Sequence, residues 1–340
     1  MFSLSQKSLY VEALDLWVDS IRFQDRCYVS HGHSDHAREH ARVVATPNTV
    51  RICKSRFARR KPSPQLTLLA SQAPARPPVV FEEHAFNEPW EEREHRLTLF
   101  SAGHVLGSAQ LMIEGEHGSF VYTGDFKLRD SLTVEPPEVK RCDVVLMECT
   151  YGRPQYVFPS HEEVAGQMIA FARNALEGDA VPVFFAYSLG KAQEAMAILG
   201  NAGLPLTVHG AVDTLAHVYQ ECGVTLPPFA KYDAENFDTR SVLIWPPGGK
   251  ALPKALREKP VRTAVLTGWS LDRGALFRYG VERGFALSDH ADYPALLDYI
   301  ERAQPRKVIL NHGRRDFVYR LRALGIDAEY LEHNVQMSLF

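Results

Sequence analysis

Four side chains of metal-ligand type fall within six residues at His31-Gly32-His33-Ser34-Asp35-His36, directly after the apolar run Cys27-Tyr28-Val29-Ser30. On an extended backbone alternate residues face the same side, so His31 and His33 point together, and a following turn aims Asp35 and His36 at a second position nearby. Holding these groups together without a cation would be costly, because each competes for water or a partner. The spacing suits two adjacent metal ions carried at a strand end.

The rest of the chain repeats that arrangement. Short apolar runs precede His104, Asp125 and His312, and another covers 143–148; they read as strands whose ends carry the unusual residues, as α/β layers present their chemistry. From about 160 to 265 helical patterns alternate with strands, which reads as a separate α/β unit inserted into the first fold. A chain of 340 residues, 45% hydrophobic, is long enough for two such cores. The expected division is 1–158 and 265–335 for the first fold, 159–264 for the insertion, and 336–340 as a tail. Segment 71–78 has linker composition, 246–250 marks a loop, and the acidic stretch Glu82 to Glu94 reads as a solvated surface loop.

A net charge of −3 confines any nucleic-acid contact to a local patch. Cys27, Cys53, Cys142, Cys149 and Cys222 form no C-x-x-C pair, so neither a disulfide framework nor a thiolate zinc site is expected. The first twenty residues carry acids too early for a signal segment, and no apolar run approaches membrane-spanning length; a soluble, cytoplasmic protein without membrane contact is expected.

The six-residue cluster matches the H-x-H-x-D-H signature of the metallo-β-lactamase superfamily at every position. Ala102 to Ser108, around His104, resembles that family's next histidine motif, and Thr123-Gly124-Asp125 its bridging-aspartate motif. The resemblance implies an αββα sandwich, with His31, His33 and His104 on one metal, Asp35 and His36 on the other, and Asp125 between them. Imidazoles with two carboxylates suit two Zn²⁺ ions, with Mn²⁺ as the substitute. Two such ions would activate a bridging water and neutralise charge on a phosphodiester under attack. Asp35 is counted among the catalytic residues on that basis.

Beyond Asp125 the chain resembles the β-CASP nucleases. Met147 to Gly152, around Glu148, matches their acidic motif A; Leu287 to Asp292, with Ser288 and His290, motif B; Leu310 to Gly313, with His312, motif C. The resemblance implies that Glu148 holds His290, that His290 protonates the leaving oxygen, and that His312 completes the second metal site. Taken singly, Glu148 reads as well as a helix cap and the histidines as polar residues at strand ends. A small-molecule metallo-hydrolase would leave the insertion, Glu148 and His290 unexplained; a scaffold with a vestigial site would lack ligands, and none is missing.

In the insertion, Phe184 to Gln193 reads as strand, small-residue turn and helix start. Ser188, Gly190 and Lys191, with Ser288, are candidate nucleic-acid contacts, although such turns also serve as plain connectors. The basic run Arg51, Lys54, Arg56, Arg59, Arg60 and Lys61 reads either as a track for a nucleic-acid backbone or as a solvated helix face. Most of the chain resembles the bacterial ligase-associated DNA exonucleases, which implies a DNA substrate, repair partners such as a ligase or helicase, and the 5′ to 3′ polarity of Artemis-like relatives. His312 pulls towards RNA, since histidine at motif C is typical of RNA-directed members. The last five residues, with Gln336, Leu339 and Phe340, resemble the peptide by which bacterial proteins dock on the DNA sliding clamp. Packing of Leu339 and Phe340 on the protein's own core is the other reading of that tail.

Overall fold

The computed structural model describes residues 2–5, 8–58, 78–247, 252–253, 256, 259–331 and 336–337. Most of the linker-like segment 71–78, and Arg59, Arg60, Lys61, Leu339 and Phe340, lie outside these residues. Two seven-stranded sheets face each other. The first runs in the order Gln336–Met337, Phe2–Ser5, Ser8–Val11, Leu16–Val18, Arg26–Tyr28, Arg42–Ala45, Val80–Glu83, antiparallel up to Leu16–Val18 and parallel beyond it. The second runs Ala328–Tyr330, Lys307–Gly313, Val144–Cys149, Gly118–Tyr122, Ala109–Gly115, His95–Ser101, Trp90–Glu92.

The period-two alternation of side chains sorts these strands into layers. Leu97, Leu99, Leu111 and Ile113 face inward and pack against Val11, Leu16, Val18 and Tyr28 of the first sheet. Their neighbours Phe100, Met112 and Val121 face outward onto Leu296 and Tyr299 of the helix Tyr293–Ala303 and Phe317 of the helix Asp316–Ala323. On the far side, Val29, Val43 and Ala45 pack on Val50 and Cys53 of the helix Pro47–Ala58. Helix, sheet, sheet and helix follow in that order, the expected αββα sandwich. Val144–Cys149 is buried along its whole length because both its faces are covered, which is why it reads as a continuous apolar run.

The inserted unit has a six-stranded, wholly parallel sheet in the order Ala230–Lys231, Leu206–Val208, Val242–Trp245, Val181–Phe185, Val261–Leu266, Arg283–Phe285. Its last two strands correct the boundary expected at 264: Val261–Leu266 straddles it and Arg283–Phe285 lies beyond it. A parallel pair needs a crossover connection, so the chain must leave the sheet and return before it re-enters the first fold. The helices His161–Glu177, Lys191–Asn201 and Gly210–Glu221 cover one face, and their core takes in Ile52, Val105 and Leu106 of the first fold.

The acidic stretch is also more structured than expected. Glu82 and Glu92 lie on the strands Val80–Glu83 and Trp90–Glu92, and both pair with the guanidinium of Arg26. All five cysteines are free, four of them buried. Among the described residues no helix is long and apolar enough to cross a membrane.

Candidate metal centre

Strand ends from both sheets converge on one cleft. His31 follows Arg26–Tyr28, Asp125 follows Gly118–Tyr122, Glu148 lies near the end of Val144–Cys149, and His312 sits in Lys307–Gly313. The last position depends on a bulge: Glu148 pairs with Asn311 and Cys149 with Gly313, so His312 is the extra residue between them and adopts φ 44°. Gly313 is required there, since a Cβ would stand 2.2 Å from the Cys149 carbonyl oxygen.

Ligand atoms of His31, His33 and His104 lie within 4.8 Å of one another, as do those of His31, His36 and Asp125, and those of His104, Asp125 and His290. The outer nitrogens of two rings are held by carbonyls, His33 Nε2 by Leu189 O at 3.2 Å and His104 Nδ1 by Asp289 O at 2.7 Å. A carbonyl only accepts, so both outer nitrogens carry the protons. The inner nitrogens, His33 Nδ1 and His104 Nε2, therefore direct lone pairs at each other across 3.0 Å. Buried His31 Nε2 has no hydrogen-bond partner among the described residues. Opposed lone pairs and an orphaned imidazole nitrogen are the arrangement that a cation relieves. The residues fit a divalent metal.

Electrostatics point the same way. Burial, with repulsion from neighbouring imidazoles, holds His31 and His104 well below the ordinary histidine range. Burial likewise lowers His33 to about 4, against the pull of Asp289. All three are thus kept neutral, the form that ligates. His36 differs: burial opposes its charge, but Asp125 and Asp19 outweigh it and raise it to about 10. Asp125 is buried, yet His36, His290 and His104 hold its carboxyl well below the usual range.

Glu148 is fully buried and caps no helix. Its carboxylate accepts from His290 Nδ1 at 2.9 Å and from the backbone N–H of Phe126 at 2.8 Å, next to Asp125. Burial opposes a charge on His290, but Glu148 prevails and raises it to about 9. Asp35 lines the cleft with an exposed side chain, and His312 has its ring centroid 5.2 Å from that of His36. Neither belongs to the three close sets.

Asp19 is the main participant that sequence reasoning passed over. Its buried carboxylate accepts from the Ser30 N–H at 2.7 Å, Ser30 Oγ at 2.6 Å, His36 Nδ1 at 2.7 Å and Tyr122 Oη at 2.8 Å, from a backbone at φ 45°. The only sequence signal was a lone carboxylate at the end of the run Leu16-Trp17-Val18.

The expected nucleic-acid turn is engaged by the protein itself. Gly190 N–H donates to Gln193 Oε1 at 2.8 Å, Lys191 Nζ pairs with Asp289 Oδ2 at 2.6 Å, and Ser288 Oγ accepts from the His290 N–H at 3.1 Å. Each of these groups thus has a partner within the protein, while Lys191 also lines the cleft. Ser188 does line the cleft, which has a volume of about 670 Å³ and also exposes Tyr187 and Trp269 on its wall. In the basic run, Arg51 and Arg56 donate to the carbonyls of Glu221 and Gly32, and Lys54 pairs with Glu83.

Comparison with known proteins adds four findings. Residues 278–337 match the family described as RMMBL, the Zn-dependent metallo-hydrolase RNA specificity domain. Over 338 residues the chain is 36% identical to a protein named Probable DNA ligase from Opitutus terrae, an alignment spanning 97% of this chain and 31% of that one. Over 280 residues it is 26% identical to an RNase J-like protein from Methanocaldococcus jannaschii, spanning 66% of each. A crystal structure of a protein of unknown function from Enterococcus faecalis V583 superposes with a TM-score of 0.60 at 15% identity, over 92% of this chain and 80% of that one, a likeness of fold.

Proposed function

We propose, from the premise that this chain belongs to the β-CASP branch of the metallo-β-lactamase fold, that it is a two-metal phosphodiesterase acting on nucleic acid, most specifically a DNA exonuclease. One observation carries the chemistry: the Glu148–His290 pair stands beside His104 and Asp125 in a cleft open to solvent. In this reading His31, His33 and His104 hold one ion, and Asp35, His36 and His312 the other, with Asp125 shared. Bound divalent ions would polarise the phosphoryl oxygens and lower the pKa of the attacking water. His290, kept protonated by Glu148, gives its Nε2 proton to the leaving oxygen, which spares the reaction a free alkoxide. Tyr187, 56% exposed on the cleft wall, and Trp269 offer faces on which unpaired bases stack without sequence preference.

The choice of DNA rests on the alignment of nearly the whole chain with part of a protein named as a DNA ligase. RNA is the second reading, favoured by His312 and by the RNA specificity domain matched at 278–337. Matched 5′- and 3′-end-labelled DNA and RNA, incubated with Zn²⁺ or Mn²⁺, separate the two. Faster shortening of DNA from its 5′ end is the expected result, and cleavage confined to RNA would reverse the assignment. The same reading places the protein in the cytoplasm among ligase or helicase partners, with Gln336, Leu339 and Phe340 as its contact to a sliding clamp. The backbone of Gln336–Met337 forms an edge strand on Phe2–Ser5, so docking would require these residues to leave that edge or to bind from it.

A further inference from the structure

The three-histidine cluster takes its shape from the inserted unit as well as from the sandwich. His33 is oriented by the carbonyl of Leu189, which belongs to the turn before the helix Lys191–Asn201. His104 is oriented by the carbonyl of Asp289, whose carboxylate is held by Lys191 at 2.6 Å with both side chains buried. Gly190 lets these parts close up: a Cβ there would stand 2.6 Å from Val105 Cγ1 and 3.1 Å from Asp289 Oδ2. The same helix is tied to the sandwich again one turn later. Buried Glu194 accepts from Ser131 Oγ, from Thr133 Oγ1 at 2.8 Å and from the Leu132 N–H at 3.1 Å.

We propose that the inserted unit sets the ring tautomers of His33 and His104 through the Leu189 carbonyl and the Lys191–Asp289 pair, so that metal binding and the seating of this turn are one linked equilibrium. The proposal rests on His31, His33 and His104 being metal ligands. Partners that fix the outer nitrogen of a ligating imidazole govern which nitrogen carries the lone pair, and their loss typically costs about 10- to 100-fold in metal affinity. Lys191 is a positioning residue here: without it the buried Asp289 carboxylate loses its counter-charge, and the carbonyl that orders His104 moves with it. Linkage is reciprocal, so an ion that favours the seated turn must also stabilise that turn against opening.

The test uses the full chain and zinc alone. Zinc titrated against a competing chromophoric chelator gives the affinity of the unsubstituted protein and of Lys191→Met, and hydrogen exchange follows amides 186–194 with and without zinc. Imidazole ¹⁵N shifts in the zinc-free proteins report the tautomer of His104. The expected results are affinity weakened about 10- to 100-fold in Lys191→Met, a His104 proton no longer confined to Nδ1, and zinc-slowed exchange over 186–194 in the unsubstituted protein. The proposal is overturned if zinc binds but leaves that exchange unchanged, or if folded Lys191→Met binds zinc as tightly as the unsubstituted chain. Should Lys191→Met fail to fold, the exchange measurement on the unsubstituted chain decides alone. Absence of zinc binding to the unsubstituted protein would instead overturn the ligand assignment beneath the proposal.

Discussion

Replacing Asp19 by Ala should be among the most damaging single changes near the cleft, although Asp19 itself touches no other group of the three close sets besides His36. Its carboxylate serves Ser30, His36 and Tyr122 from a site shut off from water. Truncation leaves the Ser30 N–H, the Tyr122 hydroxyl and the His36 ring N–H without their acceptor, while Ser30 Oγ can turn its hydrogen to His31 Nδ1 at 3.0 Å once the metal-free ring shifts its proton to Nε2. Unsatisfied buried donors cost about 1–3 kcal/mol each, so three would total well above that if nothing relaxed. The hydroxyl can rotate, and breaking a buried charged pair typically costs about 3–5 kcal/mol, so we expect a loss in that range for the chelated protein. Denaturant unfolding in excess chelator measures it directly. Asp19→Asn keeps the shape but must turn an NH₂ towards one of three donors, so it should fall between Ala and the unsubstituted chain. A loss below about 1 kcal/mol for Asp19→Ala would refute the reasoning, since it would mean that the network re-pairs at no cost.

The roles in the cleft separate by two further substitutions. His290→Ala should slow cleavage by about 10²- to 10⁴-fold, the usual contribution of a general acid, with bound metal retained; His312→Ala should lower metal content. Loss of metal in the first and not the second, measured by elemental analysis, would reverse the assignment. The acid side of the stability curve should depend on Glu194. Burial opposes its charge, but His161, Lys127 and Ser131 hold it down to about 2 against an ordinary 4.5. A depressed carboxylate stabilises above the unfolded pKa and loses that contribution as pH falls through the folded one. Glu194→Gln should therefore be less stable at pH 7, by up to about 3 kcal/mol from the size of the shift, and the gap should narrow between pH 4.5 and 2. A gap that stays constant in denaturant titrations would exclude Glu194 as its source. Removing residues 336–340 should leave metal content and cleavage of short oligonucleotides intact while abolishing clamp binding; a marked fall in melting temperature would show that the pairing of Gln336–Met337 with Phe2–Ser5 holds the fold together rather than serving as a detachable tail.

Much of the site was legible because its groups are local in sequence or stand on strand ends. His31, His33, Asp35 and His36 fall within one turn-bearing segment, and the resemblance their motif carries implied the two-layer sandwich, in which strands such as His95–Ser101 and Ala109–Gly115 are buried over most of their length. The runs before Asp125 and His312, and the one that carries Glu148, could be read as strands because they are short apolar stretches that end in polar residues. What the chain could not declare in one dimension was the partner of each group. Asp19 reaches His36 across two strand ends, and Leu189 and Asp289 act through backbone carbonyls, which every residue possesses and no side-chain pattern marks. Lys191 read as a free cation until folding brought Asp289 beside it, and Glu82 and Glu92 read as solvated until Arg26 stood between their strands. The end of the insertion was misplaced because a strand's own residues do not say which sheet it joins: Arg283–Phe285 belongs to the inserted sheet only through its pairing with Val261–Leu266. Side-chain chemistry and periodicity are properties of the sequence; the counter-charge, the orienting carbonyl and the neighbouring strand are properties of the packing.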